Sequence, residues 1–485
     1  MKQTLLNLFV CWLFGIFSLS SFAQTPKEIV GYYPNWQWYD RSGLIDPEAI
    51  FYEKYTTINY AFFNPTANGT IVSTDSWADE NLLLGPTIWW PVQTHDSTKS
   101  LPYLAHQAGV KVLPSIGGWT LSYNFPGIAA DPVKRETFVQ SCLQLIGFYH
   151  FDGVDLDWEY PGYTPNGGTP ADKQNFTLLL QDLRAALDDL EIQTGQEYLL
   201  TSCFAASQEK MENIDWANVL PLLDMVNLMT YDFHGSWDPE SNHHTPLYPP
   251  AVGEPDWCFD GAFNLLTETY NVPAEKINLG VSFCGKALVN CTQLYGPHSG
   301  YDGSTFWEDE GQPTYFNISK RMGQFTRFWD EQVKCPYLLG NSINTFVTYD
   351  DGESVGYKAR YVKNKNAKGL IVWEITADYL ETSPGSGVIA STPLMDTINA
   401  VFDEATHVEN PVKTLISILP NPTSGMVKIV ANELVTEVSV YSVSGKMLRR
   451  IYGNSNFDIT GFNCGVYFLE IKTNSSIYHQ KLLKE

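Results

Sequence analysis

Eight short apolar segments recur between Glu28 and about residue 400, and they constrain the fold of this 485-residue chain more than any other feature. Each is rich in β-branched and aromatic residues and apolar enough to be buried on both faces. Helix-length amphipathic stretches separate them, which is the pattern of a parallel α/β fold. The predicted strands are 29–33, 57–63, 111–116, 153–158, 198–204, 225–229, 277–283 and 369–373, and the predicted helices include 132–149 and 172–190. Eight such units predict a (β/α)8 TIM barrel.

The interval between the seventh and eighth predicted strands is much longer than one crossover helix requires. Residues 287–347 are rich in Tyr, Phe, Gly and Thr rather than in helix formers. We therefore predict an inserted α+β subdomain there. A long disordered loop is the alternative, although the aromatic content opposes it.

The N-terminus has the features of an export signal. Lys2 precedes an apolar stretch from Leu5 to Phe17, and Ser21-Phe22-Ala23 is a small-x-small cleavage site. We predict a signal peptide over 1–23 and a mature domain over 24–404. The apolar stretch is too short to cross a bilayer, and no later one reaches the required length, so no membrane span is expected.

The chain changes character after Phe402. Residues 405–413 are polar and resemble a linker, and short alternating strands separated by turn sequences follow. The predicted strands are 427–430, 437–441, 447–451 and 466–471. We expect a small all-β sandwich over 414–485.

One run of acidic residues indicates chemistry. In Asp152-Gly-Val-Asp-Leu-Asp-Trp-Glu159 the acids at 155, 157 and 159 alternate with apolar residues, so on a strand they face one side. In a barrel that side is the interior, and Glu159 lies at the carboxyl end, where barrel enzymes place their active sites. Three stacked acids cannot all ionise cheaply, so at least one proton is shared. A protonated carboxyl beside a carboxylate suits the cleavage of a glycosidic bond.

Two other interpretations of this run are weaker. A solvated acidic loop would not alternate so regularly with apolar and aromatic residues. Carboxylate metal sites normally recruit His or further oxygen ligands, and no neighbouring residue supplies them. His243-His244 beside Asp238 lacks further ligands at regular spacing and is interpreted as loop structure. We therefore expect no metal and no cofactor.

Composition restricts the partners. The chain has 30 Lys and Arg against 54 Asp and Glu, a formal charge of −24, which argues against nucleic acid and anionic membranes. Its 14 Trp and 27 Tyr suit stacking on sugar rings, although a large core is the alternative. Seven cysteines remain after the predicted signal peptide. Pairing of Cys284 or Cys258 with Cys291 or Cys335 and buried free thiols are equally open.

The acidic run resembles the Asp-Gly-x-Asp-x-Asp-x-Glu motif of glycoside hydrolase family 18, the chitinase family. Other motifs of that family follow in order: Ser115-Ile-Gly-Gly-Trp119, Met229-Thr-Tyr-Asp232 and Trp373-Glu374. The resemblance extends over about residues 28–400, and the inserted subdomain resembles that of the deep-cleft chitinases. It implies a retaining, substrate-assisted mechanism in which the acetamido oxygen of the substrate attacks to give an oxazolinium ion.

The resemblance also implies roles for individual residues. Glu159 would protonate the glycosidic oxygen and later activate water. Asp157 would orient the acetamido N–H, Asp155 would share a proton with it, and Tyr231 would donate to the acetamido carbonyl. Further residues implied in substrate binding are Met229, Asp232 and Trp373, with Trp119, Trp237, Tyr32 and Trp36 as stacking candidates. One departure stands out: Phe283-Cys-Gly-Lys286 replaces the Tyr-Gly-Arg of many members, so a point charge replaces a bidentate arginine.

The C-terminal segment resembles the sorting domain of the type IX secretion system found in Bacteroidetes. The resemblance rests on Leu419-Pro-Asn-Pro-Thr-Ser-Gly425, Val438-Ser-Val-Tyr-Ser-Val-Ser-Gly445 and Gly465-Val-Tyr-Phe-Leu-Glu-Ile471. A carbohydrate-binding sandwich is the alternative, although no planar aromatic platform is evident. The resemblance implies recognition by the secretion machinery and a location outside the cell or on its surface.

Together these features predict a secreted, monomeric chitinase that acts on chitin or N-acetylglucosamine oligomers. Two rivals share the fold. A non-catalytic chitin-binding lectin would have lost the acid that Glu159 supplies. An endo-β-N-acetylglucosaminidase acting on N-glycans would use the same acids, but an inserted subdomain favours a long linear polymer.

Overall fold

The computed structural model describes residues 26–404, 417–431, 434–443, 445–453, 455–473 and 477–485. The chain forms two compact units, Met1–Asp403 and Glu404–Glu485. The predicted signal peptide and the predicted linker lie outside the described residues. Among the helices that are described, none is both long and apolar enough to cross a membrane.

The first unit is built on a closed barrel of eight parallel strands, as predicted. The strands are Glu28–Pro34, Thr57–Pro65, Lys111–Gly117, Gly153–Asp157, Leu199–Ala205, Met225–Met229, Ile277–Ser282 and Gly369–Trp373. Each strand pairs with its neighbours in sequence order, and the first pairs with both the second and the eighth, which closes the barrel. A short strand, Ile71–Ser73, adds antiparallel to the second.

Helices surround the barrel strands, and local sequence sets their ends. The α-helices of this unit outside the insertion are Ser76–Asp79, Leu101–Gln107, Phe125–Ala130, Pro132–Tyr149, Asp172–Thr194, Gln208–Met211, Trp216–Val219, Phe259–Asn264, Gly352–Asn364 and Pro393–Asp403. The Asp131 carboxylate accepts a hydrogen bond from the Val133 amide and so caps Pro132–Tyr149, whose bounds were predicted. Asp172–Thr194 extends one turn beyond its prediction, because it meets no helix terminator before Gly195, at φ 74°.

The fourth barrel strand alternates as its sequence predicts. Asp155 and Asp157 point into the barrel, and Trp158 packs outward, with its ring centroid 5.3 Å from that of Phe125. The strand ends at Asp157, one residue before its predicted end, so Glu159 lies just beyond it. The acidic side chains therefore lie within and above the carboxyl end of one strand.

The predicted insertion is a folded α+β subdomain. Its antiparallel sheet contains the strands Lys286–Val289, Phe325–Asp330, Cys335–Gly340 and Thr345–Thr348. A helix, Tyr315–Arg321, precedes the second of these strands. Aromatic residues form much of the separate core, which includes Phe306, Phe325 and Tyr349. The alternative of a disordered loop is therefore wrong.

A fully buried ion pair links the helix Gly352–Asn364 to the segment just before it, and a hydrogen bond from the same lysine reaches the loop after the sixth strand. Lys358 Nζ lies 2.6 Å from Asp350 Oδ2 and donates to Thr245 Oγ1 at 2.7 Å. Asp350 also accepts a hydrogen bond from Ser354. Because both side chains are fully buried, the Lys358 ammonium and the Asp350 carboxylate depend on each other and on these hydrogen bonds for stabilisation.

We expect Lys358→Met to lower the free energy of unfolding by about 3–5 kcal/mol, because it leaves the buried Asp350 carboxylate without its partner. Urea denaturation would measure the loss. Lys365→Met, at the C-cap of the same helix, is the control: the Lys365 side chain is 39% exposed and lies 3.6 Å from Asp260, so its loss should cost less than about 1 kcal/mol. Similar losses in the two variants would contradict a stabilising role for the buried pair.

The second unit is an all-β sandwich. One sheet contains Ser417–Leu419, Met426–Val430 and Asn456–Asp458, and the other contains Val435–Ser442, Met447–Tyr452, Gly465–Thr473 and Ile477–Lys484. Apolar side chains from both sheets form one core. Three of these strands were not predicted from the sequence. Two contain only three residues, and Ile477–Lys484 is an edge strand of its sheet in which His, Gln and Lys make up half of the residues.

Candidate active site

The deepest carboxyl group of the barrel interior is that of Asp155, which is fully buried. It accepts hydrogen bonds from hydroxyl and amide groups of side chains on four other strands. The donors are Tyr32 at 2.9 Å, Ser115 at 2.8 Å, Thr201 at 2.5 Å and Asn227 at 3.3 Å. Burial raises the pKa of Asp155, and these donors oppose the rise. The carboxyl group is therefore fixed in place, and both of its oxygens are engaged.

Asp157, one pleat further along the strand, has a different environment. It is 3% exposed, and its Oδ1 is buried without a hydrogen-bond partner among the described residues. Among the described residues, no hydrogen bond joins the Asp157 carboxyl group to that of Asp155. Burial raises its pKa well above the usual range, and the charges of Glu159 and Asp155 add to the rise. Asp157 thus has an acceptor oxygen available for a group that enters the barrel.

Glu159 begins the loop that follows the strand. Its backbone N–H donates to Ser122 Oγ at 2.8 Å, and its carbonyl accepts from Asn166 Nδ2 at 2.8 Å, so the backbone is held from both sides. Burial raises the pKa of Glu159 to about 7, against hydrogen bonds from the Tyr160 hydroxyl and the Trp119 backbone. Near neutral pH this carboxyl group can therefore donate a proton.

A small apolar cluster forms the barrel mouth around these acids. Met229, Tyr231 and Trp373 pack against buried residues of the barrel interior. Gly280 leaves room for Tyr231, because a Cβ there would lie 2.6 Å from Tyr231 Cε1. Burial and neighbouring acidic groups raise the pKa of Tyr231 well above 10, so its hydroxyl remains a proton donor.

Asp232 follows Tyr231 in a left-handed conformation, at φ 58°, which is uncommon for a residue other than glycine. Lys286 Nζ lies 2.9 Å from its Oδ1, and His244 Nδ1 lies 3.5 Å from the same oxygen. Partial burial would raise the pKa of Asp232, whose side chain is 46% exposed, but the Lys286 ammonium and His244 outweigh that effect and lower the pKa well below the usual range. Asp232 is therefore a stable anion at the edge of the site.

Lys286 brings the inserted subdomain into this site. Besides its contact with Asp232, it donates to Gln312 Oε1 at 2.6 Å, and its ammonium lies 5.8 Å from the centroid of the Trp237 ring. The replacement of arginine by a point charge thus preserves an ion pair with Asp232. It adds a contact to one of the predicted stacking residues.

Exposed aromatic rings lie on two sides of the acids. Trp36 and Phe62 pack around Trp373, and the Phe62 ring is stacked on it at 5.8 Å. Trp119, which is 54% exposed, packs beside Tyr160 and Tyr163. These positions suit contact with sugar rings, and so does Trp237, which is 59% exposed.

The prediction that Tyr32 stacks on a sugar is wrong. Its ring is only 2% exposed, and its hydroxyl donates to Asp155, because Tyr32 lies within the first strand and faces the barrel interior. The sequence interpretation also missed several residues that the structure brings to the site: Phe62, Ser115, Tyr160, Tyr163, Thr201, Cys203 and Asn227. The available signal was a polar residue within an otherwise apolar strand, as at Ser115, Thr201 and Asn227.

The two adjacent histidines have different partners, and the described cysteines are unpaired with one another. His243 Nε2 lies 3.3 Å from Asp330, whereas His244 lies beside Asp232. Across the described residues, no group of three or more His, Cys, Asp or Glu side chains is arranged to hold a metal ion. All seven cysteines described are free thiols, so the possible pairing of Cys258 or Cys284 with Cys291 or Cys335 is wrong.

Comparison with known proteins identifies two families in the chain. Residues 417–485 match the secretion system C-terminal sorting domain, which implies export by the type IX system. Residues 28–378 match glycosyl hydrolases family 18. Chitinase A1 of Niallia circulans is 35% identical over 412 residues, which cover 74% of this chain and 58% of that protein. The chain thus spans less than two thirds of this relative.

Solved structures give the same relationship. A chitinase from Bacillus thuringiensis superposes with a TM-score of 0.69 at 27% identity, covering 95% of this chain and 85% of that one. A family 18 N-acetylglucosaminidase from Paenibacillus barengoltzii superposes with a TM-score of 0.63 at 29% identity, covering 77% and 99%. Because the family match includes all eight barrel strands and more than half of the chain, this protein belongs to glycosyl hydrolases family 18.

Proposed function

We propose that the chain is a secreted chitinase that hydrolyses β-1,4 linkages between N-acetylglucosamine units with retention at the anomeric carbon. The observation that carries the proposal is the contrast among the three acids. Asp155 is saturated with hydrogen bonds, Asp157 has a buried oxygen without one, and Glu159 has a pKa of about 7 at the barrel mouth. The three groups therefore suit three different tasks.

Glu159 is suited to act first as an acid and then as a base. With a pKa of about 7 it holds a proton at neutral pH and can transfer it to the glycosidic oxygen as the bond breaks. The resulting carboxylate can then take a proton from the water that attacks the intermediate. Its backbone is held by Ser122 and Asn166, which limits displacement of the side chain during both steps.

The other groups suit the acetamido group of the reacting sugar. Asp157 Oδ1 would accept the acetamido N–H, which orients the carbonyl oxygen for attack on the anomeric carbon and stabilises the cationic oxazolinium ion. Tyr231 would donate to that carbonyl oxygen. Trp373, supported by Phe62, would form an apolar floor under the sugar. Asp155 would hold the proton that it shares with Asp157 when Asp157 is charged.

The substrate is proposed to be a linear polymer rather than an N-glycan. Lys286 and Gln312 belong to the insertion and contact the Asp232 side of the site, so the subdomain extends the wall beside the barrel mouth. Such a wall suits several consecutive sugar units. The sorting domain is consistent with delivery to an extracellular polymer or to the cell surface of a Bacteroidetes-type bacterium.

Hydrolysis of colloidal chitin compared with a high-mannose glycoprotein would test this proposal. We expect soluble oligomers from chitin, and proton NMR of fresh products should show the β-anomer before mutarotation. Release of the glycan alone would favour the endo-β-N-acetylglucosaminidase. Binding to chitin without cleavage of either substrate would overturn the enzyme proposal in favour of a lectin.

The charge at Lys286 should set the acidic limit of activity. In Lys286→Met the ammonium beside Asp232 is lost, and because that ammonium is the strongest influence lowering the pKa of Asp232, this pKa rises. Asp232 would take up a proton at a higher pH, so the acidic limb of the kcat/KM profile should move to higher pH. Lys286→Arg keeps a cation beside Asp232 and should leave the acidic limb at its wild-type pH. An unchanged limb in Lys286→Met would show that the charge of Asp232 does not matter for turnover.

A further inference from the structure

A thiol that the proposed mechanism does not use lies among the buried carboxyl groups. Cys203 belongs to the fifth barrel strand, two residues beyond Thr201, so both side chains face the barrel interior. Cys203 is 4% exposed, and its Sγ lies 2.8 Å from Tyr32 Oη. The same hydroxyl lies 2.9 Å from Asp155 Oδ2, and the sulfur lies 3.9 Å from that oxygen. Thiol, phenol and carboxyl group therefore form one connected chain.

The protons available to this chain determine its direction. A phenol has one proton, so Tyr32 can donate to Asp155 or to Cys203 but not to both. When Asp155 is a carboxylate it can only accept, so Tyr32 donates to it and the thiol donates to Tyr32 Oη. When Asp155 carries a proton on Oδ2, this O–H can donate a hydrogen bond to Tyr32 Oη. The Tyr32 hydroxyl then donates its own hydrogen bond to the Cys203 sulfur. A thiol serves both states, because it is a weak donor and a weak acceptor.

We propose that Cys203 is a positioning residue that completes the Tyr32–Asp155 hydrogen-bond chain in both charge states and so sets the pH at which the buried acids lose their shared proton. The inference rests on the proposed function, because that proton matters for turnover only if Asp155 and Asp157 act together. Cys203 contacts no substrate atom in this scheme, although its thiol also interacts with the Asp157 carboxyl group and lowers the pKa of Asp157.

The surroundings of Cys203 limit what its loss can affect. The titratable groups that face it are Tyr32 from the first strand, Asp155, Asp157 and Glu159 from the fourth strand and its following loop, and Tyr231 after the sixth strand. Its register partner on the sixth strand, Asn227, is uncharged. The pKa values of both tyrosines lie well above 10, outside the range of an activity assay. A shift near neutral pH would therefore report on the carboxyl groups.

Replacement of Cys203 gives a pH readout. In Cys203→Ala the Tyr32 hydroxyl loses its partner when Asp155 is protonated, so the alkaline limb of kcat/KM should move to lower pH by about half a unit. Loss of the thiol contact with Asp157 would instead move the limb to higher pH, and a shift in that direction would overturn the role of the hydrogen-bond chain. Cys203→Val, which keeps volume without a polar hydrogen, should behave alike. Cys203→Ser keeps a donor and an acceptor and should return the alkaline limb to its wild-type pH. Cys142→Ala removes another fully buried thiol, in the helix Pro132–Tyr149, and should leave the limb unchanged.

Thermal stability supplies a readout that does not need turnover. A carboxyl group with a raised folded-state pKa keeps a proton that the unfolded chain releases, so stability falls as pH rises from the unfolded to the folded pKa. In Cys203→Ala the folded pKa is lower, and the fall in Tm as pH rises above about 4, the unfolded pKa of an aspartate, should be smaller than in wild type. The cavity left by alanine lowers Tm at every pH and does not change this slope.

The possible results separate the two proposals. Wild-type pH dependence of both activity and Tm in Cys203→Ala would overturn the role of Cys203, as would failure of Cys203→Ser to restore them. A wild-type protein that cleaves neither substrate overturns the proposed function. If its Cys203→Ala variant nevertheless shows the reduced Tm slope, the hydrogen-bond chain is supported without a link to catalysis.

Discussion

Glu159→Gln is expected to lower kcat on N-acetylglucosamine oligomers by about 10³-fold or more while leaving oligomer binding measurable. Glutamine has nearly the same shape but cannot transfer a proton to the glycosidic oxygen. The aromatic rings and Asp157 remain, so the binding surface is preserved. Single-turnover assays on a soluble oligomer would measure the rate, and isothermal titration calorimetry would measure the binding.

The control for Glu159→Gln is Glu197→Gln, because the Glu197 side chain is 76% exposed and lies outside the barrel mouth. It should retain wild-type kcat. In the wild type, activity should decline as pH rises past about 7, because Glu159 loses its proton there. Asp157 interacts with both Glu159 and Asp155, so the proton shared by the two aspartates contributes to the same alkaline limb. If Glu159→Gln retained a tenth of the wild-type rate, Glu159 could not be the acid.

The fold was largely predictable because its elements carry local signals. Strands buried on both faces have near-continuous apolar sequences, and the helix Pro132–Tyr149 has Asp131 as an N-cap. Those signals weaken where pairing is supplied by distant residues. Half of the residues in the edge strand Ile477–Lys484 are His, Gln or Lys, and its place in the sheet depends on the neighbouring strand Gly465–Thr473.

The inward direction of Asp155 and Asp157 was predictable for a related reason, but the residues that surround them were not. The period of two in one strand is enough to direct Asp155 and Asp157 inward. The donors to Asp155 come from four other strands, and their register is set by barrel closure rather than by any local pattern. Tyr32 shows the consequence, since an aromatic residue near a strand end was predicted to stack on a sugar but supports a carboxyl group instead.

Asp157→Asn is expected to lower kcat by about 10²–10³-fold with a smaller change in KM, because the lost interaction develops fully only in the transition state. The amide can still contact the acetamido group, but it brings no negative charge to the oxazolinium ion. It also cannot share a proton with Asp155. Initial rates over a range of oligomer concentrations, measured for wild type and variant, would separate kcat from KM.

Asp152→Asn is the matched control for this substitution, since Asp152 lies in the same acidic run but at the opposite end of the strand. Its carboxylate accepts from the Val112 amide at 2.7 Å and lies 2.8 Å from His106 Nε2, away from the barrel mouth. It should retain kcat within a few-fold of wild type. A folded Asp157→Asn variant with kcat within tenfold of wild type would show that neither the negative charge of Asp157 nor the proton it shares with Asp155 is needed for turnover. The oxazolinium ion would then have to be stabilised by another carboxylate of the site, such as that of Asp155 or of Glu159 after it has given up its proton.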